Sequence, residues 1–407
     1  MREYPAFTIS EKGEKMLKDG HVWAFAEELT PLSGEASDGC LADIYSKKGK
    51  YVGTGFFNSQ SKIRIRLVSK SSNDKFDEDF WKRRLLWAVS YRHDVMPEED
   101  FDCCRLIFGE ADQFPGLTVD RFGNILVVQV LSLGLDRMKK ELLSWLIEIL
   151  SDRFGVRIDA IYERSDTSVR ALEGLLPVTG YLYRSGSFED HDGKTEITEN
   201  GIRYCVDYVS GQKTGFFLDQ KYNRAAVSKI CRGKTVLDAC THTGSFALNA
   251  AKAGASTVTA LDISTDALSM AEYNASLNGI ENISFVKADM FDYLKELQET
   301  KKKPFDVIIL DPPAFTKSRD TVKNAIKGYL EINERAMRIL PKGGYLATCS
   351  CSHFMTETYF RQMLHNAAEK AQVSLRQIEA RRQSPDHPIL WNVPETDYLK
   401  FYIFQIC

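Results

Sequence analysis

No run of about 18 or more apolar residues interrupts the 407-residue chain, so no membrane-spanning helix is expected. The opening "MREYPAFTISEKGEK" lacks the apolar core of a secretory signal, and the expected location is the cytoplasm. Nine cysteines, an odd number in a large chain, make no disulfide framework and are expected as free thiols. Cys103–Cys104 and Cys349–Cys351 are isolated pairs without a matching second half, which argues against a metal site. The dinucleotide pattern G-x-G-x-x-G is missing, and so is a phosphate-binding Gly-Lys-Ser/Thr loop. The net charge of −3 does not by itself mark a nucleic-acid binder.

What is present has the balance of a soluble globular protein: 43% hydrophobic and 27% charged residues. The length implies two or three domains. Charge is unevenly placed. From Ile44 to Lys70 the chain carries Lys47, Lys48, Lys50, Lys62, Arg64, Arg66 and Lys70, and no acid. In "KIRIRLV", Ile63, Ile65 and Leu67 alternate with Arg64 and Arg66, the pattern of a half-buried strand with a cationic outer face.

The polar segment "SKSSNDKFDED" (69–79) reads as a boundary. Beyond it come a helix with Phe80, Leu85, Trp87 and Val89 apolar, a hairpin turning at Phe122–Asn124, and an amphipathic helix closed by Gly155. A second polar boundary is expected over 185–201. From there strands alternate with helices: "KTVLDA", "TVTALDI", "ISFVKAD", "FDVIILD" and "GYLATCS" are strands, with helical patterns between them. That rhythm implies an α/β fold with a doubly wound parallel sheet. "VSLRQIEARRQ" and "DYLKFYIFQI" are expected to pair antiparallel at one sheet edge.

Ligands of open α/β sheets sit beyond the carboxyl ends of the strands. Asp238, Asp262, Asp289, Asp311 and Cys349 fall there in turn. Asp262 follows Asp238 by 24 residues, close to the spacing at which an acid takes ribose hydroxyls. A ribose-bearing cofactor without a pyrophosphate cradle fits S-adenosyl-L-methionine. Asp289 is placed to accept from an adenine amino group, with Met290 or Phe291 covering the ring. In "LDPPAF", Pro312 and Pro313 stiffen the exit from a buried strand. Such a wall, with Asp311 and Phe315, suits a planar heterocycle.

In order, "GQKTGFFLDQKYNR", "LDACTHTGSFAL", "ALDIS", "KADMF", "LDPPAF" and "TCSCSHFM" resemble the RlmI-type large-subunit rRNA 5-methylcytosine methyltransferases, a class I Rossmann-like group. "LKDGHVWAF" and the basic strands resemble that family's PUA RNA-binding domain, and "GEADQFPGLTVDRFG" its middle domain. The resemblance implies a PUA-like domain over 1–70, an α+β domain over 71–190 and a methyltransferase domain over 191–407. It also implies ribosomal RNA, that of the large (23S) subunit, as partner. Asp219 and Gln220 would lie near the amino-acid end of the cofactor, Asp238 beside its amino group and Gly244 against its methionine part. Arg64 and Arg66 would meet RNA. The first turn departs from the usual methyltransferase pattern in lacking its early glycines.

A cysteine fits this chemistry because carbon 5 of cytosine is a weak nucleophile until a thiolate adds at carbon 6. Some related enzymes place a second cysteine after the fourth strand, where this chain has Ala314. The fifth-strand "TCS" points to Cys349 as the attacking thiol, with Cys351 the other candidate. Two further readings exist. An enzyme methylating an exocyclic base amino group would use the Asp-Pro-Pro wall and no thiol. An RNA-binding assembly factor with an inactive methyltransferase fold would bind RNA without transferring a methyl group. Oligomeric state is not legible in the sequence.

Overall fold

A computed structural model describes residues 3–300, 303–316 and 318–407. The chain forms two compact units. The first comprises Met1–Ile197, Val206–Leu218 and Pro385–Thr396; the second comprises Thr198–Cys205, Asp219–Ser384 and Asp397–Cys407.

The first unit begins with β1 (Ala6–Ile9), α1 (Glu11–Lys18), β2 (Trp23–Phe25), β3 (Leu29–Ser33), β4 (Leu41–Ser46), β5 (Tyr51–Phe57) and β6 (Ile63–Ser69). These strands make one sheet in the order β2-β6-β5-β4-β1-β3. Ile65 and Leu67 of β6 enter a core with Ile9, Leu17 and Ile44. The glycine break in β5 has a steric cause. A Cβ on Gly55 would meet the Arg66 carbonyl oxygen at 2.1 Å.

Next come α2 (Glu78–Val95), β7 (Cys103–Phe108), β8 (Leu117–Phe122), β9 (Ile125–Val130), α3 (Leu133–Phe154), β10 (Ala160–Ser165) and β11 (Val178–Arg184). The five strands form a sheet in the order β11-β10-β9-β8-β7. Gly123, at φ +61°, takes the left-handed conformation required between β8 and β9. On α2, Phe80, Leu85 and Val89 are buried, whereas Trp87 points away from that face and is 61% exposed.

A hairpin of β12 (Lys194–Glu199) and β13 (Ile202–Asp207) follows, where the sequence reading expected only a polar boundary. Asn200 and Gly201 both have positive φ, as a two-residue turn requires.

The second unit carries α4 (Lys221–Ser228), β14 (Thr235–Asp238), α5 (Ser245–Lys252), β15 (Thr257–Asp262), α6 (Thr265–Leu277), β16 (Ile283–Lys287), α7 (Met290–Glu299), β17 (Val307–Leu310), α8 (Val322–Ile339), β18 (Tyr345–Ser350), α9 (Glu357–Ala371), β19 (Leu375–Arg381) and β20 (Lys400–Ile406). The sheet order is β16-β15-β14-β17-β18-β20-β19. β14 to β18 run parallel; β20 runs antiparallel to both β18 and β19. The chain therefore reverses its winding direction between β14 and β17, and a crevice opens at such a switch point. All four residues of β17 are buried, consistent with a central strand covered on both faces.

Candidate active site

The carboxyl ends of β14, β15 and β17 bring Asp238, Asp262 and Asp311 onto one rim. Neighbouring strands lie about 4.8 Å apart, so these acids sense each other. Asp238 is fully buried. Its Oδ2 accepts from Thr241 Oγ1 at 2.7 Å and from the Ala247 amide at 3.0 Å. Its Oδ1 has no hydrogen-bond partner among the described residues. Desolvation, aided by the charge of Asp311, pushes this carboxyl up to about 7.

The first turn holds its shape through Asp262, whose two oxygens accept from the His242 and Ser264 amides, both at 2.9 Å. His242 has φ +49°, a left-handed conformation unusual for a side-chain-bearing residue. Gly244 has φ +86°, and a Cβ there would meet Ala271 at 3.0 Å. The missing early glycines are thus compensated by a bonded histidine backbone, while the last glycine is sterically required.

Asp289 caps α7 by accepting from the Phe291 and Asp292 amides. Its backbone is fixed beyond the end of β16, and its carboxylate stays exposed. Met290 is buried, with its Sδ 3.6 Å from Cys240 Sγ.

Asp311 stands beside Cys349. The Cys349 thiol donates to Asp311 Oδ1 at 2.8 Å, and Gln220 Nε2 donates to the same oxygen at 3.2 Å. Gln220 is itself held by Asn223, whose Nδ2 donates to Gln220 Oε1 at 2.6 Å; Arg381 Nε in turn donates to Asn223 Oδ1 at 2.9 Å. Asn223 and Arg381 are supports that the sequence reading missed, although Asn223 lies within the quoted "DQKYNR". Burial pushes the Asp311 carboxyl up to about 6. Burial, then the Asp311 charge, pushes the Cys349 thiol well above the usual thiol range. Asp219 is buried, and its Oδ2 accepts from Tyr398 at 2.6 Å.

Pro312 is buried and Pro313 exposed at the exit of β17. Phe315 is half-buried. Its ring lies 4.5 Å from that of Tyr329 and 5.8 Å from that of Phe291, so it anchors the Asp-Pro-Pro loop to α8 and α7. Cys351, one residue beyond β18, is only partly buried.

In the first unit Arg66 differs from the solvated cation expected. It bonds Glu173 at 2.9 Å and Glu110 at 3.3 Å, and lies over the Trp23 ring. Arg64 donates to the Asn58 carbonyl. Of the seven basic residues between Ile44 and Lys70, Lys47, Lys48, Lys50, Lys62 and Lys70 are exposed.

These residues suit a cationic nucleoside cofactor. The rim is anionic, and the buried Arg224 cation is already neutralised by Glu199 at 2.6 and 2.7 Å. A buried carboxylate oxygen awaits a donor, and the second-strand acid suits a ribose. No group of three or more His, Cys, Asp or Glu side chains arranged for a metal occurs among the described residues.

The fold and this rim define an S-adenosylmethionine-dependent methyltransferase with an added PUA-like domain. Residues 183–404 match the S-adenosylmethionine-dependent methyltransferase family and residues 7–70 the PUA-like domain family. A ribosomal RNA large subunit methyltransferase I from Aliivibrio fischeri is 38% identical, over 98% of both chains. Its counterpart from Klebsiella pneumoniae is 36% identical, over 99% of this chain and 98% of its own. The chain belongs to the ribosomal RNA large subunit methyltransferase I family. A Streptococcus mutans protein provisionally assigned as an S-adenosylmethionine-dependent methyltransferase shares the fold, with a TM-score of 0.81 at 22% identity over 98% of this chain and all of its own. So does SMU.776, solved with S-adenosylhomocysteine, with a TM-score of 0.82 at 21% identity over the same shares.

Proposed function

We propose that this protein methylates carbon 5 of a cytosine in large-subunit ribosomal RNA, with Cys351 as the attacking thiol. The relatives named for large-subunit ribosomal RNA support the substrate class. The observation that carries the chemistry is the Cys349 thiol at the end of β18, 2.8 Å from Asp311 at the Asp-Pro-Pro exit of β17, with Cys351 just beyond the strand. The Ser352 hydroxyl donates to the Thr316 carbonyl at 2.8 Å, which ties the two loops together.

The surroundings separate the two thiols. Cys349 is fully buried, and its S–H is engaged by a carboxylate that opposes ionisation. Cys351 lies beyond the strand and is partly open. A thiolate is the nucleophile, so the site beside an anion is the poorer one. Cys349 acts instead by holding the Asp311 carboxyl in place. This reverses the preference that the "TCS" resemblance suggested.

Cys351 Sγ forms a bond to carbon 6 and makes carbon 5 enamine-like. The cofactor supplies the methyl group from its sulfonium. Carbon 5 then loses its proton to a base, and the electron pair returns to break the sulfur–carbon bond. Asp311 holds the cytosine edge. With its carboxyl near 6, it can lend a proton to the ring nitrogen during addition and recover it on release. Asp238 holds the cofactor's ammonium. Lys47, Lys48 and Lys50 meet RNA phosphates, in place of Arg66.

The test is a covalent trap. Ribosomal RNA fragments carrying 5-fluorocytidine cannot lose the carbon-5 substituent, so they should leave an adduct on Cys351 after methyl transfer. Methylation of ordinary RNA without any adduct would exclude the thiolate route and favour an exocyclic amino group. RNA binding without methyl transfer would mean an inactive fold.

A further inference from the structure

Gln220 touches both Asp311 and Cys349. Its Nε2 lies 3.2 Å from Asp311 Oδ1 and 3.4 Å from Cys349 Sγ. A side-chain amide offers donors at one end and an acceptor at the other, so its effect depends on which end faces Asp311. That orientation is set further away, at Asn223. Asn223 Oδ1 accepts from Arg381 Nε at 2.9 Å, and a guanidinium can only donate. Asn223 Nδ2 donates to the Arg382 carbonyl at 3.2 Å, and a carbonyl can only accept. Both ends of Asn223 are thereby fixed, and Nδ2 also donates to Gln220 Oε1 at 2.6 Å. Gln220 meets that donor with its oxygen, so its N–H groups must face Asp311 and Cys349.

The same ordering reaches the thiol. Cys349 Sγ receives an N–H from Gln220, which leaves its own hydrogen for Asp311 Oδ1 at 2.8 Å. Oδ1 then holds two donors, one for each lone pair. A proton on the Asp311 carboxyl must therefore sit on Oδ2. Gln220 and Asn223 are only 3% and 2% exposed, so solvent competes little for these bonds.

Resting on the assignment of Asp311 as the group that lends a proton to the cytosine ring, we infer that Asn223 is a positioning residue: held between Arg381 and the Arg382 carbonyl, it turns the Gln220 amide so that Asp311 exchanges its proton through Oδ2 alone. Asn223 acts through Gln220 rather than on the substrate. Donors at Oδ1 favour the ionised carboxyl, whereas an amide oxygen there would favour the protonated one. The sign of the effect of Gln220 on Asp311 therefore reports the orientation of the amide.

The experiment follows the Asp311 carboxyl against pH by infrared difference spectroscopy in the full chain without RNA or cofactor, with Asp311→Asn identifying its band. Gln220→Met removes the amide at similar length. It should raise the midpoint by about one unit, a tenfold change in the proton equilibrium, as expected for losing a hydrogen bond to a charged group. Asn223→Leu should raise it as well, and should add nothing in the Gln220→Met background. If Asn223→Leu does not fold, Asn223→Asp keeps the size and the Arg381 bond, and its rise should shrink in the Gln220→Met background. A midpoint that falls or stays in any single variant overturns the inference. So does an equal rise from the Asn223 change in both backgrounds, since Asn223 would then act without Gln220. The pH dependence of methyl transfer reads the assignment of Asp311 separately. A midpoint that moves as expected beside an unmoved pH–rate profile would discard Asp311 as the proton carrier and keep the Asn223–Gln220 arrangement.

Discussion

The Cys349 thiol donates to Asp311 Oδ1 at 2.8 Å, and this bond joins the ends of β18 and β17. A hydrogen bond to a charged group is worth about 1.5–3 kcal/mol, or roughly 10–100-fold in rate if it is needed in the transition state. Cys349→Ala should therefore lower methyl transfer by roughly 10–100-fold while the RNA adduct still maps to Cys351. Cys349→Ser keeps a donor and should stay near wild type. Cys351→Ala should abolish both turnover and adduct. An adduct that disappears in Cys349→Ala and survives in Cys351→Ala would exchange the two assignments.

Asp238, proposed to hold the cofactor's ammonium, should govern cofactor affinity through its protonation. Its carboxyl is raised to about 7, and only the ionised form attracts the cofactor's ammonium. Affinity for S-adenosylmethionine should thus be highest above pH 7 and weaken by up to about tenfold per unit below it. Titration calorimetry between pH 5.5 and 8.5 measures this directly. Asp238→Asn should bind weakly at every pH. A wild-type affinity flat across that range would remove Asp238 from the cofactor's amino end.

The same raised carboxyl has the opposite effect on the empty protein. The folded form holds its proton up to about 7, whereas an unfolded Asp releases it near 3.8. The folded state therefore binds more protons between those values, and stability falls as pH rises through that window. Asp238→Asn should stabilise the cofactor-free protein at pH 8 by about 2 kcal/mol, after discounting for relaxation, and by less at pH 5. Denaturant unfolding at the two pH values checks the sign. A destabilised variant at pH 8 would mean that the carboxylate is already compensated without the cofactor.

The parallel sheet was legible because buried strands alternate with helical crossovers, and because acids at strand ends resist explanation by packing. "VIIL" before Asp311 needs two covered faces, and the sheet provides them. The β12–β13 hairpin was also written in the sequence, as Asn200–Gly201 between two extended runs, but the polar residues around it concealed the signal. Other features were not readable in principle. Residues two apart share a face only while the strand lasts, and β18 stops between Cys349 and Cys351. Arg66 alternates as a solvent-facing residue should. Its partners Glu110 and Glu173 lie 44 and 107 positions away, beyond the reach of local periodicity.

Arg66 therefore separates a structural cation from an RNA-binding one. Its side chain is 13% exposed and that of Glu173 only 3%, so Arg66→Ala leaves a buried carboxylate unpaired. Breaking such a pair costs about 3 kcal/mol. The variant should unfold at lower urea, while any folded fraction keeps the wild-type dependence of RNA affinity on salt. Lys47, Lys48 and Lys50 should behave in the reverse way. All three are exposed, and changing them together to Ala should leave stability within about 0.5 kcal/mol. RNA affinity should fall, and its slope against log salt should become shallower by about 2–3, because each phosphate contact releases close to one counterion. A salt slope that changes for Arg66→Ala and not for the triple lysine variant would return RNA recognition to the β6 face.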